Sequence, residues 1–106
     1  MKIIFYGTPE FAVHSLMTLV KNSYEVLAVV TAPDKPSGRG LTMNKSAVKK
    51  FAESENLKIL QPTNLKNEEF ISEIKKLDPD IQIVVAFRMM PEKLWNLPPL
   101  GTFNLH

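Results

Sequence analysis

Ile3-Ile4-Phe5-Tyr6 is an apolar run ended by Gly7, the pattern of a short buried strand. Thr8-Pro9 then predicts a helix start: threonine to cap the free amides, and proline at the first helical position, where no hydrogen bond is lost. Ala12, Val13, Leu16, Met17 and Val20 recur at helical spacing and give that helix one apolar face, and Asn22-Ser23 closes it. Residues 26–30 are rich in β-branched side chains and read as a second strand. Further on, Ser46 is placed to cap a helix with Ala47, Val48, Phe51 and Ala52 turned inward. A short strand over 57–60 follows, and Gln61-Pro62 turns the chain. Asn67 caps the next helix, whose acidic start (Glu68, Glu69) and basic end (Lys75, Lys76) complement the helix dipole. Phe70, Ile71, Ile74 and Leu77 form its buried face, and Asp78-Pro79-Asp80 stops it. Residues 81–87 are nearly continuous in apolar side chains, as in a strand covered on both faces. A short helix over 91–97 ends at Pro98-Pro99, and Gly101-Thr102-Phe103-Asn104 leads into a last strand.

Strands alternating with helices predict an α/β fold, a Rossmann-like parallel sheet with helices on both faces and right-handed crossovers. Residues 32–44 are the exception. They hold two prolines and two glycines and show no hydrophobic period. A structureless stretch of that length is uncommon inside a compact domain and is often functional.

The 106 residues give room for one domain. Cysteine is absent, which excludes disulfides and thiolate metal sites, and the two histidines have no close partner, so no metal site is expected. No apolar run approaches the ~20 residues of a membrane span, and Gly7 breaks the opening run too early for a signal peptide. The expected compartment is the cytoplasm, with no membrane partner. A last strand followed by nothing is a poor end for such a sheet, which predicts a piece of a longer protein. The net charge of +2 decides nothing about partners. Its distribution says more: over residues 32–50, the long loop and the start of its exit helix, Lys35, Arg39, Lys45, Lys49 and Lys50 stand against Asp34 alone. Such a loop suits contact with phosphates, and equally suits a solvated surface.

In an open parallel sheet, ligands bind beyond the carboxyl ends of the strands. Gly7-Thr8, residues 32–44, residues 87–91 and residues 104–106 all fall there on this reading. The dinucleotide fingerprint needs three spaced glycines and only Gly7 is present, so a tight strand-to-helix turn is the better reading and NAD or FAD is disfavoured. Asn104 and His106 share one face of a strand, because strand side chains repeat every two residues. An amide beside an imidazole can stabilise a developing oxyanion while the imidazole moves a proton. By itself the triplet is better described as a strand end with two solvated polar residues. His14 reads as an exposed helix residue.

Together the four segments are more specific than any one. Gly7-Thr8-Pro9-Glu10-Phe11-Ala12-Val13 resembles the opening signature of the methionyl-tRNA formyltransferases. Val29-Val30-Thr31-Ala32-Pro33-Asp34-Lys35-Pro36-Ser37-Gly38-Arg39-Gly40 resembles their loop that reaches the acceptor arm of initiator tRNA. Ser46-Ala47-Val48-Lys49, Leu60-Gln61-Pro62 and Gly101-Thr102-Phe103-Asn104-Leu105-His106 also have counterparts. Ala47 stands where the family usually has proline, and Phe87-Arg88-Met89-Met90 replaces its more usual tyrosine-glycine pair. The resemblance implies a formyltransferase fold and formyl transfer from 10-formyltetrahydrofolate to methionyl-initiator tRNA. It implies catalytic roles for Asn104 and His106, a folate pocket at Phe87, Arg88, Met89 and Met90, and tRNA contacts at Lys35, Arg39, Lys45 and Lys49. The substrate amine is the nucleophile, in keeping with a chain that offers no cysteine. The family's Ser-Leu-Leu-Pro-x-x-Arg-Gly segment, its catalytic aspartate and its tRNA-binding carboxyl-terminal domain would all follow residue 106. The chain would then be the amino-terminal part of the catalytic domain, inactive alone. The rival readings are a sugar-nucleotide N-formyltransferase, which generally lacks the proline-glycine loop, and a non-catalytic folate- or RNA-binding module. Glycinamide ribonucleotide formyltransferase is disfavoured by the missing glycine pattern at the first turn.

Overall fold

In a computed structural model, which describes residues 1–36 and 43–105, strands β1 (Lys2–Gly7), β2 (Glu25–Val30), β5 (Ile59–Leu60), β6 (Ile81–Val85) and β7 (Thr102–Leu105) form one parallel sheet. Their spatial order is β5-β2-β1-β6-β7. The chain builds outward from β1 to one edge, then returns across it to build the other. This reversal beside β1 is the topological switch point of doubly wound folds. A separate two-stranded antiparallel ribbon, β3 (Lys35–Pro36) with β4 (Met43–Asn44), rises from the long loop. The expected structureless stretch therefore carries paired backbone at its base.

Helices cover both faces. On one, Phe5, Val29 and Val85 pack with Ala12 and Leu16 of α1 (Glu10–Lys21) and Val48 and Ala52 of α2 (Ala47–Ser54). On the other, Ile4, Tyr6, Ala28, Val30 and Val84 pack with Phe70 and Ile74 of α3 (Glu68–Leu77) and Leu94 of α4 (Glu92–Trp95). Neighbouring residues of each strand face opposite layers, as the pleat requires. Fully burying a side chain such as Leu16 or Ile74 is worth roughly 1.5–3 kcal/mol.

The helix starts follow the caps read from the sequence at two places. The Ser46 hydroxyl accepts from the Lys49 amide at 3.0 Å, and the Asn67 side chain accepts from the Phe70 amide at 3.0 Å. The start of α1 differs. Pro9 occupies the cap position and there is no side-chain cap bond. Thr8 instead turns its hydroxyl outward to accept from the Ala32 amide at 3.3 Å, linking β1 to the loop after β2. At the other ends, Ser23 and Asp78 adopt left-handed backbone, with φ of 63° and 57°, and stop α1 and α3.

Strand β6 also ends earlier than its apolar run. Ala86 has φ of 49°, which breaks the alternation after Val85. Phe87 is thereby returned to the layer of Tyr6, and the two rings meet edge-on with centroids 5.7 Å apart.

Gly7 pairs with Val85 at the carboxyl end of the β1–β6 seam. A Cβ there would come within 3.0 Å of the Ala12 Cβ and 3.1 Å of the Val85 carbonyl oxygen. A side chain here would have to press helix and strand apart by a few tenths of an ångström. Replacing Gly7 by alanine is expected to destabilise the fold by about 1–3 kcal/mol through overpacking. A urea midpoint unchanged from the parent chain would contradict this account.

Candidate active site

The carboxyl ends of β1, β2, β6 and β7 open on two adjoining cavities. The first, of about 480 Å³, lies against Phe87, Met90, Trp95, Thr102 and Asn104. The second, of about 490 Å³, lies among Thr8, Ala32, Pro33, Lys35 and Ala86. Phe87 and Arg88 border both. Three of the four segments singled out in the sequence, and Asn104 from the fourth, thus converge on one rim. His106 and Arg39 lie outside the described residues.

Asn104 is exposed and pairs with Val84, so its side chain shares the Val84 and Thr102 face of the sheet. That face is the one walled by α4. The residues of the 87–90 stretch are divided in their tasks. Phe87 and Met90 are half-buried and pack on the core, while Met89 is 95% exposed. Arg88 lies over the Phe87 ring, 4.9 Å from its centroid. Its guanidinium donates to the Pro62 and Thr63 carbonyls at 2.9 and 3.1 Å. This side chain is held against the 62–63 turn, and it contributes a fixed wall.

The cations of the long loop are also divided. Lys35 is exposed and borders the second cavity. Lys45 pairs with Glu53 at 3.1 Å on the surface. An exposed pair of this kind is worth little and leaves the ammonium free to exchange partners. Lys49 is different: its side chain is 14% exposed and its ammonium sits 2.8 Å from the Asp34 carboxylate. Gln61 donates to the same carboxylate at 2.8 Å and to the Ala32 carbonyl at 3.1 Å. The hydrogen bond from Lys49, with that from Gln61, holds the Asp34 carboxyl below the usual carboxylate range. Thr31 is fully buried, and its hydroxyl meets the Ser46 hydroxyl at 2.7 Å. Together these bonds fasten the root of the loop to the start of α2 and the end of β5.

The profile of the family described as formyl transferase matches residues 1–106. The chain belongs to that family. The methionyl-tRNA formyltransferase of Flavobacterium johnsoniae is 58% identical over 106 residues, covering 100% of this chain and 34% of that protein. The enzymes of the same name from Parabacteroides distasonis and Bacteroides thetaiotaomicron are 55% and 52% identical, each covering 100% of this chain and 33% of its own length. The chain therefore spans about a third of the length of these relatives. Among the described residues, no helix is long and apolar enough to cross a membrane, and no group of three or more His, Asp or Glu could hold a metal ion.

Several residues at this rim were given no role in the sequence reading. Thr31, Gln61, Gln82, Trp95 and Thr102 all touch the rim or support it. Gln82 carried the clearest signal, a lone carboxamide inside an apolar strand, since a polar side chain there must find partners.

The depressed Asp34 carboxyl links stability to pH. A lowered folded pKa adds stability that is complete above the ordinary aspartate value of about 3.9 and is lost as pH falls through the lower folded value. The stability gap between the parent chain and Asp34→Asn should therefore shrink on acidification from about pH 6 to about pH 2. Urea unfolding at each pH measures it, and a gap that stays constant would contradict the linkage.

Proposed function

We propose that the intact protein transfers a formyl group from 10-formyltetrahydrofolate to the amino group of methionine on initiator tRNA. The observation carrying this reading is that the Asn104 amide shares one cavity with Phe87 and Met90, in a chain matched along all 106 residues by the formyl transferase family. The names of the relatives support the choice of acceptor. On this reading the chain is the amino-terminal part of the catalytic domain.

The cavity suits a flat heterocycle with polar edges: aromatic and thioether walls at Phe87, Trp95 and Met90, and a neutral amide at Asn104. The folate cosubstrate supplies the activated formyl group. Asn104 donates a hydrogen bond to the formyl oxygen as negative charge builds there, a contribution of roughly 3–4 kcal/mol for one such donor. His106 takes the proton of the attacking amine and returns it to the departing nitrogen, worth about 10²–10⁴-fold in rate. Met89, exposed beside this cavity, adds flexible apolar contact, and Arg88 fixes the wall behind it. Lys35, Arg39 and Lys45 supply positive charge for the phosphates of the acceptor stem, while Lys49 holds the loop's root through Asp34.

The test is formylation of methionyl-initiator tRNA by the purified intact protein. Asn104→Ala and His106→Ala are each expected to lower kcat about 100-fold or more with little change in tRNA affinity. Arg39→Ala is expected to weaken tRNA binding and flatten its salt dependence while sparing kcat. Equal effects of these changes on both quantities would remove the division of roles. The 106-residue chain alone is expected to be inactive, and turnover by it would contradict the proposal.

A further inference from the structure

A fully buried carboxamide stands behind the first cavity. Gln82 is fully buried in β6, two residues before Val84, the partner of Asn104, and on the same face. Its amide nitrogen donates to the Leu94 carbonyl at 2.9 Å and to the Thr102 hydroxyl at 3.0 Å. Leu94 offers only an acceptor there, so the amide cannot be flipped, and its oxygen must face Tyr6. The Tyr6 hydroxyl accordingly donates to that oxygen. Burial pushes the Tyr6 phenol far up, so it stays a donor. Thr102, having accepted from Gln82, donates onward to the Trp95 carbonyl at 2.6 Å. Every donor in the series Tyr6, Gln82, Thr102, Trp95 is thus committed in one direction.

The series joins the central strand β1 to both walls of the cavity. One wall is α4, gripped at the Leu94 and Trp95 carbonyls; the other is β7, gripped at Thr102, two residues before Asn104 on the same face. Among the described strands, β7 has ladder bonds to β6 alone. Ladder bonds fix register along the strand, but they leave the tilt of its end to side-chain contacts.

We infer that Gln82 is a positioning residue: its carboxamide sets the distance between Trp95 and Asn104, and so the place from which the Asn104 amide reaches the bound formyl oxygen. The catalytic half of this inference rests on the formyl-transfer reading; the clamp itself does not. An amide displaced by about 1 Å can cost on the order of 100-fold in rate, so a residue that never touches substrate can govern kcat.

The test uses the intact protein with Gln82→Met, which keeps volume and removes the amide, and Tyr6→Phe, which removes one end of the series and serves if the first variant does not fold. Hydrogen exchange is followed at the amides of residues 94–105. The expected result is exchange at least about tenfold faster across α4 and β7, with β1 and β2 unchanged. Unchanged exchange there, or equal acceleration across the sheet, would overturn the clamp. In kinetics, Gln82→Met is expected to lower kcat at least about tenfold with tRNA KM within about twofold. Placed on Asn104→Ala, it should lower kcat little further, because it acts through that residue. Independent, multiplying losses would overturn the positioning role. If the parent protein formylates no tRNA, the formyl-transfer reading fails, and the exchange measurements alone decide the clamp.

Discussion

Two parallel strands, β1 and β6, pair from Ile3 with Ile81 to Gly7 with Val85, and the chain lays its other parallel strands outward from this seam in opposite directions. Loops leaving the seam must part, one to each side, and a cleft opens between them. Thr8 and Ala86 are the first residues past the seam, and both border a cavity. The closeness of the seam depends on Gly7, where a Cβ would press on α1 and on the Val85 carbonyl. Glycine here brings two strand ends and a helix start together, without the three-glycine pattern of a dinucleotide site.

Outward from the seam, polar side chains do the fastening that apolar packing cannot. On one flank, Thr8, Thr31, Ser46, Asp34, Lys49 and Gln61 tie three loops to one another. On the other, Tyr6, Gln82 and Thr102 tie three strands to a helix. Among the described residues, no buried side-chain polar atom lacks a partner. Satisfied networks of this kind give a single arrangement of groups, whereas apolar contact alone tolerates several.

The sheet, its helices and their two clear caps were legible because period and capping chemistry are local. Ser46 and Asn67 stand directly before apolar residues at helical spacing, and the buried faces of α1 and α3 follow from that spacing. Three features were not legible, each for a tertiary reason. Thr8 has the chemistry of a cap, but the loop after β2 passes close enough to claim its hydroxyl. The apolar run from Ile81 gave no sign that the backbone would turn left-handed at Ala86. Lys49 read as one more cation of the loop, because its carboxylate partner lies fifteen positions back along the chain. Asn104 stood out on a two-residue period that any strand end could show; what distinguishes it is the aromatic and thioether wall opposite, which only folding supplies. Gln82 was passed over in a run read as apolar, and the direction of its bonds emerged only once Leu94 and Thr102 lay beside it.

Ala86 shows what such a turn is for. A non-glycine residue at φ of 49° carries a conformational penalty of roughly 1–3 kcal/mol, held in place by the packing around it. Glycine would remove the penalty and would also let the following residue wander through a wider set of directions. By retaining a methyl group at this doorway, the molecule accepts a little tension in exchange for an aromatic panel that stands still.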